Sequence, residues 1–150
     1  MKIKMIQVSK LVPYLSNAKK HSDNQICMIA ASIKEFGFCN PILTDGDNGM
    51  IAGHGRLEAA KKLGMDEVPV VELSHLSESQ KKALIIADNR LGEVGVEWDM
   101  DLVRTELEAL DLADFDLDLT GFDLDEVKEM SGDDLNLDDF FENSDGDGQK

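Results

Sequence analysis

Two spacings of apolar residues alternate along the chain, one typical of strands and one of helices. Ile3, Met5 and Gln7 follow a two-residue period and predict a short first strand before Pro13 and Tyr14 introduce a loop. A polar, basic connector from Asn17 to His21 leads to Ser22-Asp23-Asn24-Gln25, which has the form of a capping box. In such a box a serine hydroxyl and a glutamine side chain reciprocally satisfy free backbone N–H groups. Ile26, Ile29, Ala30, Ile33 and Phe36 then recur at helical spacing, and Gly37 supplies the stop.

Two short apolar runs, Pro41 to Thr44 and Met50 to Ala52, flank the turn-rich Asp45-Gly46-Asp47-Asn48-Gly49 and predict a hairpin-like connection. A short helix is expected over Leu57 to Leu63 with Gly64 as its end, followed by a β-branched strand from Val68 to Leu73. Ser77-Glu78-Ser79-Gln80 repeats the capping-box pattern ahead of a helix from Ala83 to Leu91. Short strands alternating with short helices indicate an α+β domain, here residues 1–92. Beyond it, Trp98, Met100, Leu102, Val103, Leu107 and Leu110 predict an amphipathic helix begun by Asp99. Phe115, Leu117, Leu119 and Phe122 are available to pack back on the domain, and Asp123-Leu124-Asp125-Glu126 starts one more short helix. The extension covers 93–130. From Ser131 to Lys150, Asp, Asn, Ser and Gly dominate and predict a disordered tail.

Charge sharpens this division. The 150 residues carry 15 Lys+Arg and 31 Asp+Glu. Up to Gly92 there are 12 basic and 10 acidic residues, whereas from Glu93 onward there are 3 and 21. The overall acidity therefore belongs to the extension and tail, not to the domain. No apolar run reaches the roughly 18 to 20 residues of a membrane helix, and the N-terminus has no long apolar signal core, which reads as a cytoplasmic protein. Cys27 and Cys39 sit in apolar settings without partners at zinc spacing and are expected to be reduced, buried thiols.

Candidate chemistry gathers where a strand ends and a helix begins. Gly53-His54-Gly55-Arg56 follows Ile51-Ala52 directly. Glycines let an anion approach the backbone, a helix start offers unpaired N–H groups, and a guanidinium holds two phosphate oxygens at once. From spacing alone these residues describe either a phosphate cradle or a tight turn with an exposed arginine.

The motifs together narrow the choice. Asn17-Ala18-Lys19-Lys20-His21, Ser32-Ile33-Lys34-Glu35-Phe36-Gly37, Asn40-Pro41-Ile42-Leu43 and Ile51-Ala52-Gly53-His54-Gly55-Arg56-Leu57-Glu58-Ala59-Ala60 occur in an order that resembles the N-terminal domain of the ParB/sulfiredoxin superfamily. The likeness spans roughly Ile3 to Arg90 and is nearest to the ParB-like modules carried by phages beside DNA modification methyltransferases. It implies a small mixed sheet with short helices, and binding of CTP or ATP with Mg2+. Gly53 and Arg56 match the family's phosphate-binding turn, with His54 and Gly55 replacing its middle pair. By the same resemblance Asn17, Lys20 and His21 face the phosphates, Asp88 and Asn89 hold metal and nucleotide, and Arg90 adds a phosphate contact. Asp88 is a suitable ligand because Mg2+ favours hard oxygen donors and often takes one carboxylate plus substrate phosphates.

Departures from the family pattern refine the expectation. The reactive cysteine of sulfiredoxins has no counterpart in the turn, so sulfinic-acid reduction is not expected. His54 stands where the family has an acidic residue; it is a candidate catalytic base, but its commoner role is anion contact, and weak nucleotide hydrolysis is the most that is expected. No basic groove-entering helix follows Gly92, so DNA is reached indirectly, through a partner such as a methyltransferase. A homodimer is compatible with this reading. Two alternatives stay open: a metal-dependent DNA endonuclease of the ParB-like nuclease type, and a non-catalytic adaptor acting through its acidic tail.

Overall fold

A computed structural model describes residues 1–17 and 19–131. The expected disordered tail lies, from 132 onward, outside the described residues; Ser131, its first residue by composition, is buried and bonded to the end of the last helix. The chain divides into two compact units, Met1–Val96 and a second beginning at Glu97. Among the described residues no helix is long and apolar enough to cross a membrane.

The first unit is built on a four-stranded mixed sheet. Its strands are β1 (Ile3–Gln7), β2 (Ile42–Thr44), β3 (Met50–Ala52) and β4 (Glu67–Glu72), in the spatial order β1-β4-β2-β3. β1 runs antiparallel to β4, β2 parallel to β4, and β2 and β3 form the expected antiparallel hairpin with an irregularity at Leu43/Thr44. Asp45 fixes that hairpin, its carboxylate accepting from the N–H groups of Asp47 and Gly49 at 2.8 Å each. Helices α1 (Asp23–Phe36), α2 (His54–Lys62) and α3 (Glu78–Arg90) complete the unit.

Strand alternation divides the core between the two faces of the sheet. Ile42, Met50, Val68 and Val70 pack with Leu57 and Ala60 of α2, while Ile51, Leu43 and Val71 pack with Leu84 and Ile85 of α3. The phase expected for β1 is reversed. Ile3 and Met5 are 64% and 55% exposed, and it is Ile6 and Val8 that reach the core. β1 is also an edge of the sheet, with Lys4 paired to Glu72 of β4 at 3.0 Å. The opposite edge is covered, because Met50 N–H donates to Val12 O and Val12 N–H to Asn48 O, both at 2.9 Å.

α1 is less buried than its pattern implies. Ala30 is its fully buried residue, Phe36 is 52% exposed, and Cys27 and Cys39 are exposed free thiols, which corrects the expectation of buried ones. The apolar stripe of α1 lies over α2, a small helix that covers only part of it.

The second unit comprises α4 (Met100–Leu112), a 3-10 turn (Leu117–Thr120) and α5 (Leu124–Met130). Asp99 and Asp123 cap its two helices with their carboxylates. Leu107 and Val127 are its buried apolar residues, and the ring of Phe122 meets Trp98 edge-on with centroids 4.9 Å apart.

Candidate functional site

The helix at the glycine-rich corner starts earlier than the hydrophobic pattern indicates. α2 begins at His54, with Gly53 as its N-cap in the left-handed region, φ 104° and ψ 23°. A Cβ there would lie 2.9 Å from Ile42 Cγ1 and 3.2 Å from Arg56 Nη2, so both backbone shape and crowding require glycine. Glycine has no side chain to cap the helix, which leaves its first N–H groups open toward the corner. His54, Gly55 and Arg56 thus form the first turn itself, where these N–H groups and the dipole favour an anion.

Gly55 has a second reason to be glycine. A Cβ at this position would come within 3.1 Å of both the His21 ring and Ile29 Cδ1. That absence of bulk lets the connector lie against the start of α2. His21 is then held by Gln25, whose Oε1 lies 2.9 Å from His21 Nδ1. With Nδ1–H donating to this oxygen, Nε2 is the nitrogen left for a ligand.

His54 is fixed in a different way. Its Nε2 accepts the backbone N–H of Tyr14 at 3.0 Å, so the neutral ring carries its proton on Nδ1. Burial, and then the neighbouring His21, push the imidazole below its ordinary range, with Glu58 pulling the other way. The ring is therefore a neutral donor at neutral pH, and the nitrogen that would act as a base is already bonded.

Arg56 carries the strongest signal. Nη2 donates to Pro41 O at 3.1 Å, while Nε is buried and, among the described residues, has no hydrogen-bond partner. Burial depresses the guanidinium pKa and the charge of Asp88 opposes that. A buried N–H of a charged group without an acceptor is costly, and a bound anion would remove the cost.

These groups share one cavity of about 260 Å3. Asn17, His21, Gly53, His54, Gly55, Arg56, Asp88 and Asn89 all line it, so the structure brings together eight of the ten residues singled out in the sequence. Lys20 and Arg90 are not on its wall. Lys19 takes the place of Lys20. Arg90 is exposed, pairs with Glu93 at 3.3 Å, and lines a neighbouring cavity of about 460 Å3 with Tyr14, Lys82 and Ile85. Lys19 and Asn89 line both cavities. Asn89 Nδ2 donates to Ile85 O at 2.8 Å, which leaves its Oδ1 outside that bond, and Asp88 lines the same cavity. Sequence reasoning misses Lys19, Gln25 and Tyr14. Gln25 does carry a signal, but one that points to the helix cap.

Comparison with known proteins bears on the family and the fold. The chain is 46% identical over 82 residues to the ParB-like nuclease domain-containing protein YnaK of Escherichia coli K12, an alignment covering 55% of this chain and 94% of that one. That relative therefore has almost nothing beyond the domain. Among solved structures, Caulobacter crescentus ParB complexed with CTP-gamma-S superposes with TM-score 0.63 at 18% identity, covering 73% of this chain and 63% of that one. A Pnob8-like ParB-N domain gives TM-score 0.52 at 16% identity, covering 75% of this chain and 48% of that one. The chain thus spans less than two thirds of either solved protein, and at these identities the likeness concerns the fold. The family model for the ParB N-terminal domain matches residues 1–90, and the chain belongs to that family.

Proposed function

We propose that the first unit binds a nucleoside triphosphate together with Mg2+ and acts beside a DNA-handling partner. The observation that carries this reading is the buried, unpartnered Nε of Arg56 next to the uncapped start of α2. The N–H groups of His54 to Arg56 and the Arg56 guanidinium hold phosphate oxygens, with Lys19 adding positive charge at the same wall and the free Nε2 of His21 accepting from a ligand hydroxyl or a bound water. The adjoining 460 Å3 cavity, between Tyr14 and Ile85, receives the nucleoside, and Lys19 and Asn89 sit where the two cavities meet.

The residues present fit a hard divalent cation. Asp88 supplies a carboxylate and Asn89 an amide oxygen, and Mg2+ completes its shell with phosphate oxygens and water. Bound there, the cation neutralises phosphate charge close to Asp88. The chain's own contribution is binding and orientation. Because His54 Nε2 is engaged by Tyr14, the site favours holding the nucleotide over hydrolysing it.

Calorimetry with CTP, ATP, GTP and UTP, each with and without Mg2+, tests the reading. One nucleotide is expected to bind in a Mg2+-dependent manner. Arg56→Ala should weaken it by about 10- to 100-fold, as expected when a phosphate oxygen is deprived of a charged hydrogen-bond donor. Undiminished binding in that variant overturns the assignment. Mg2+-dependent nicking of plasmid DNA that disappears in Asp88→Ala would move the reading to an endonuclease.

A further inference from the structure

The second unit exposes a helix face that its own packing does not use. Leu107 of α4 is buried. On the opposite side of the same helix, Leu102, Thr105, Ala109 and Leu112 follow one another at intervals of three, four and three residues and are all exposed. Leu102 is 64% exposed and Leu112 89%, so Leu102, expected among the inward residues of this helix, faces water instead. Ten residues of helix set these two leucines about 15 Å apart, a stripe three turns long. Trp98, just ahead of the helix, is 64% exposed as well.

Acidic residues flank this stripe. Helical geometry places Asp101 along one side of it, together with Glu108, whose carboxylate is paired with Arg104, and Glu106 along the other. From Glu97 to Ser131 there are 13 acidic and 2 basic residues. Of the two cations, Arg104 is turned inward, donating to Glu108 at 2.9 Å and to Ser131 Oγ at 3.3 Å. Lys128 is thus the one outward cation among the described residues of this unit.

We infer that the outer face of α4 is a docking surface for a basic amphipathic helix of a partner protein. A seam three turns long, with exposed leucines at its two ends and the small Thr105 and Ala109 between them, calls for a helix with its own apolar stripe, and the acidic borders call for Lys or Arg beside that stripe, as in helix pairs whose flanking charges select the partner. The same charge disfavours a second copy of this chain, since two such faces would bring like charges together along the whole seam. It equally disfavours the chain's own acidic residues beyond 131. Docking on this face is separate from nucleotide binding and does not depend on it.

The test uses the full chain and two synthetic peptides of identical composition. One carries leucines at a/d spacing bordered by lysines; the other has the same residues scrambled so that no apolar stripe forms. Calorimetry at physiological ionic strength should show the patterned peptide binding at least tenfold more tightly than the scrambled one. The double variant Leu102→Asp, Leu112→Asp should abolish that difference. Both positions are exposed, and the near-ultraviolet signal of Trp98, the only tryptophan, reports whether the unit stays folded. Equal binding of the two peptides, or a folded double variant that keeps the preference, overturns the proposal. So does a concentration-dependent dimer in sedimentation that the double variant dissolves, which makes a second copy the occupant. Tighter peptide binding after removal of 132–150 also overturns it, making the tail the occupant.

Discussion

Two helices of the first unit begin with the same pattern, Ser-x-x-Gln, and close it differently. At α3 the box is complete: Gln80 N–H donates to Ser77 Oγ at 3.2 Å, and Ser77 N–H donates to Gln80 Oε1 at 2.9 Å. At α1 only the serine half forms, with Gln25 N–H donating to Ser22 Oγ at 3.1 Å, while the Gln25 side chain turns to His21. One glutamine stabilises its helix; the other orients a histidine on the cavity wall. A local motif shows which backbone groups need partners, and the surrounding fold decides whether the side chain answers that need or another.

The largest effect expected from disturbing this contrast is at Gly55. In Gly55→Ala the new methyl meets the His21 ring and Ile29 at 3.1 Å, so the connector must shift away from α2. Nucleotide affinity should fall by about tenfold or more, the equivalent of about 1.4 kcal/mol, while helical circular dichroism is retained. Next comes the paired substitution of the two glutamines. Gln25→Ala should weaken nucleotide binding several-fold with little change in melting temperature. Gln80→Ala should leave binding intact and lower stability by about 0.5 to 1 kcal/mol in chemical denaturation. If both variants affect stability alone, Gln25 is an ordinary cap residue.

The smallest expected effect concerns pH. His54 is held below its ordinary pKa of 6.5, so on acidification the unfolded chain takes up this proton before the folded one. The stability linked to His54 is therefore whole above about pH 6.5 and declines as pH falls below it. Protonation also removes the acceptor for Tyr14 N–H. Replacing His54 with Asn should flatten the dependence of melting temperature on pH between about 6.5 and 5 relative to the parent chain.

Much of the fold is readable from local pattern because its elements are short and firmly punctuated. The Asp45 to Gly49 hairpin, Gly37 after α1, the box at Ser77 and the aspartate cap at Asp99 all depend on residues within a few positions of one another. The parallel pairing of β2 with β4 depends on a crossover through α2 and leaves no local trace. β1 is legible as a strand but not in phase, since Ile3, Met5, Ile6 and Val8 offer apolar residues to both faces and only the sheet chooses. At the site, the Gly53 to Arg56 corner and Asp88-Asn89 stand out through their motifs. Lys19 does not, because the connector has no periodicity by which to decide which of two adjacent lysines faces inward. Tyr14 is invisible for another reason: its contribution to His54 is a backbone N–H, which any residue but proline supplies.

The outer strand of the sheet bears on how this chain behaves when crowded. Its exposed N–H and C=O groups, with Ile3 and Met5 projecting into water, would recruit a neighbouring strand and seed fibrils if nothing opposed it. Lys2 and Lys4 interleave with those two apolar residues and act as gatekeepers, Lys4 while also paired with Glu72 of β4. Protection of this edge against strand addition therefore falls to surface lysines at the end of the sheet opposite the Gly53 corner.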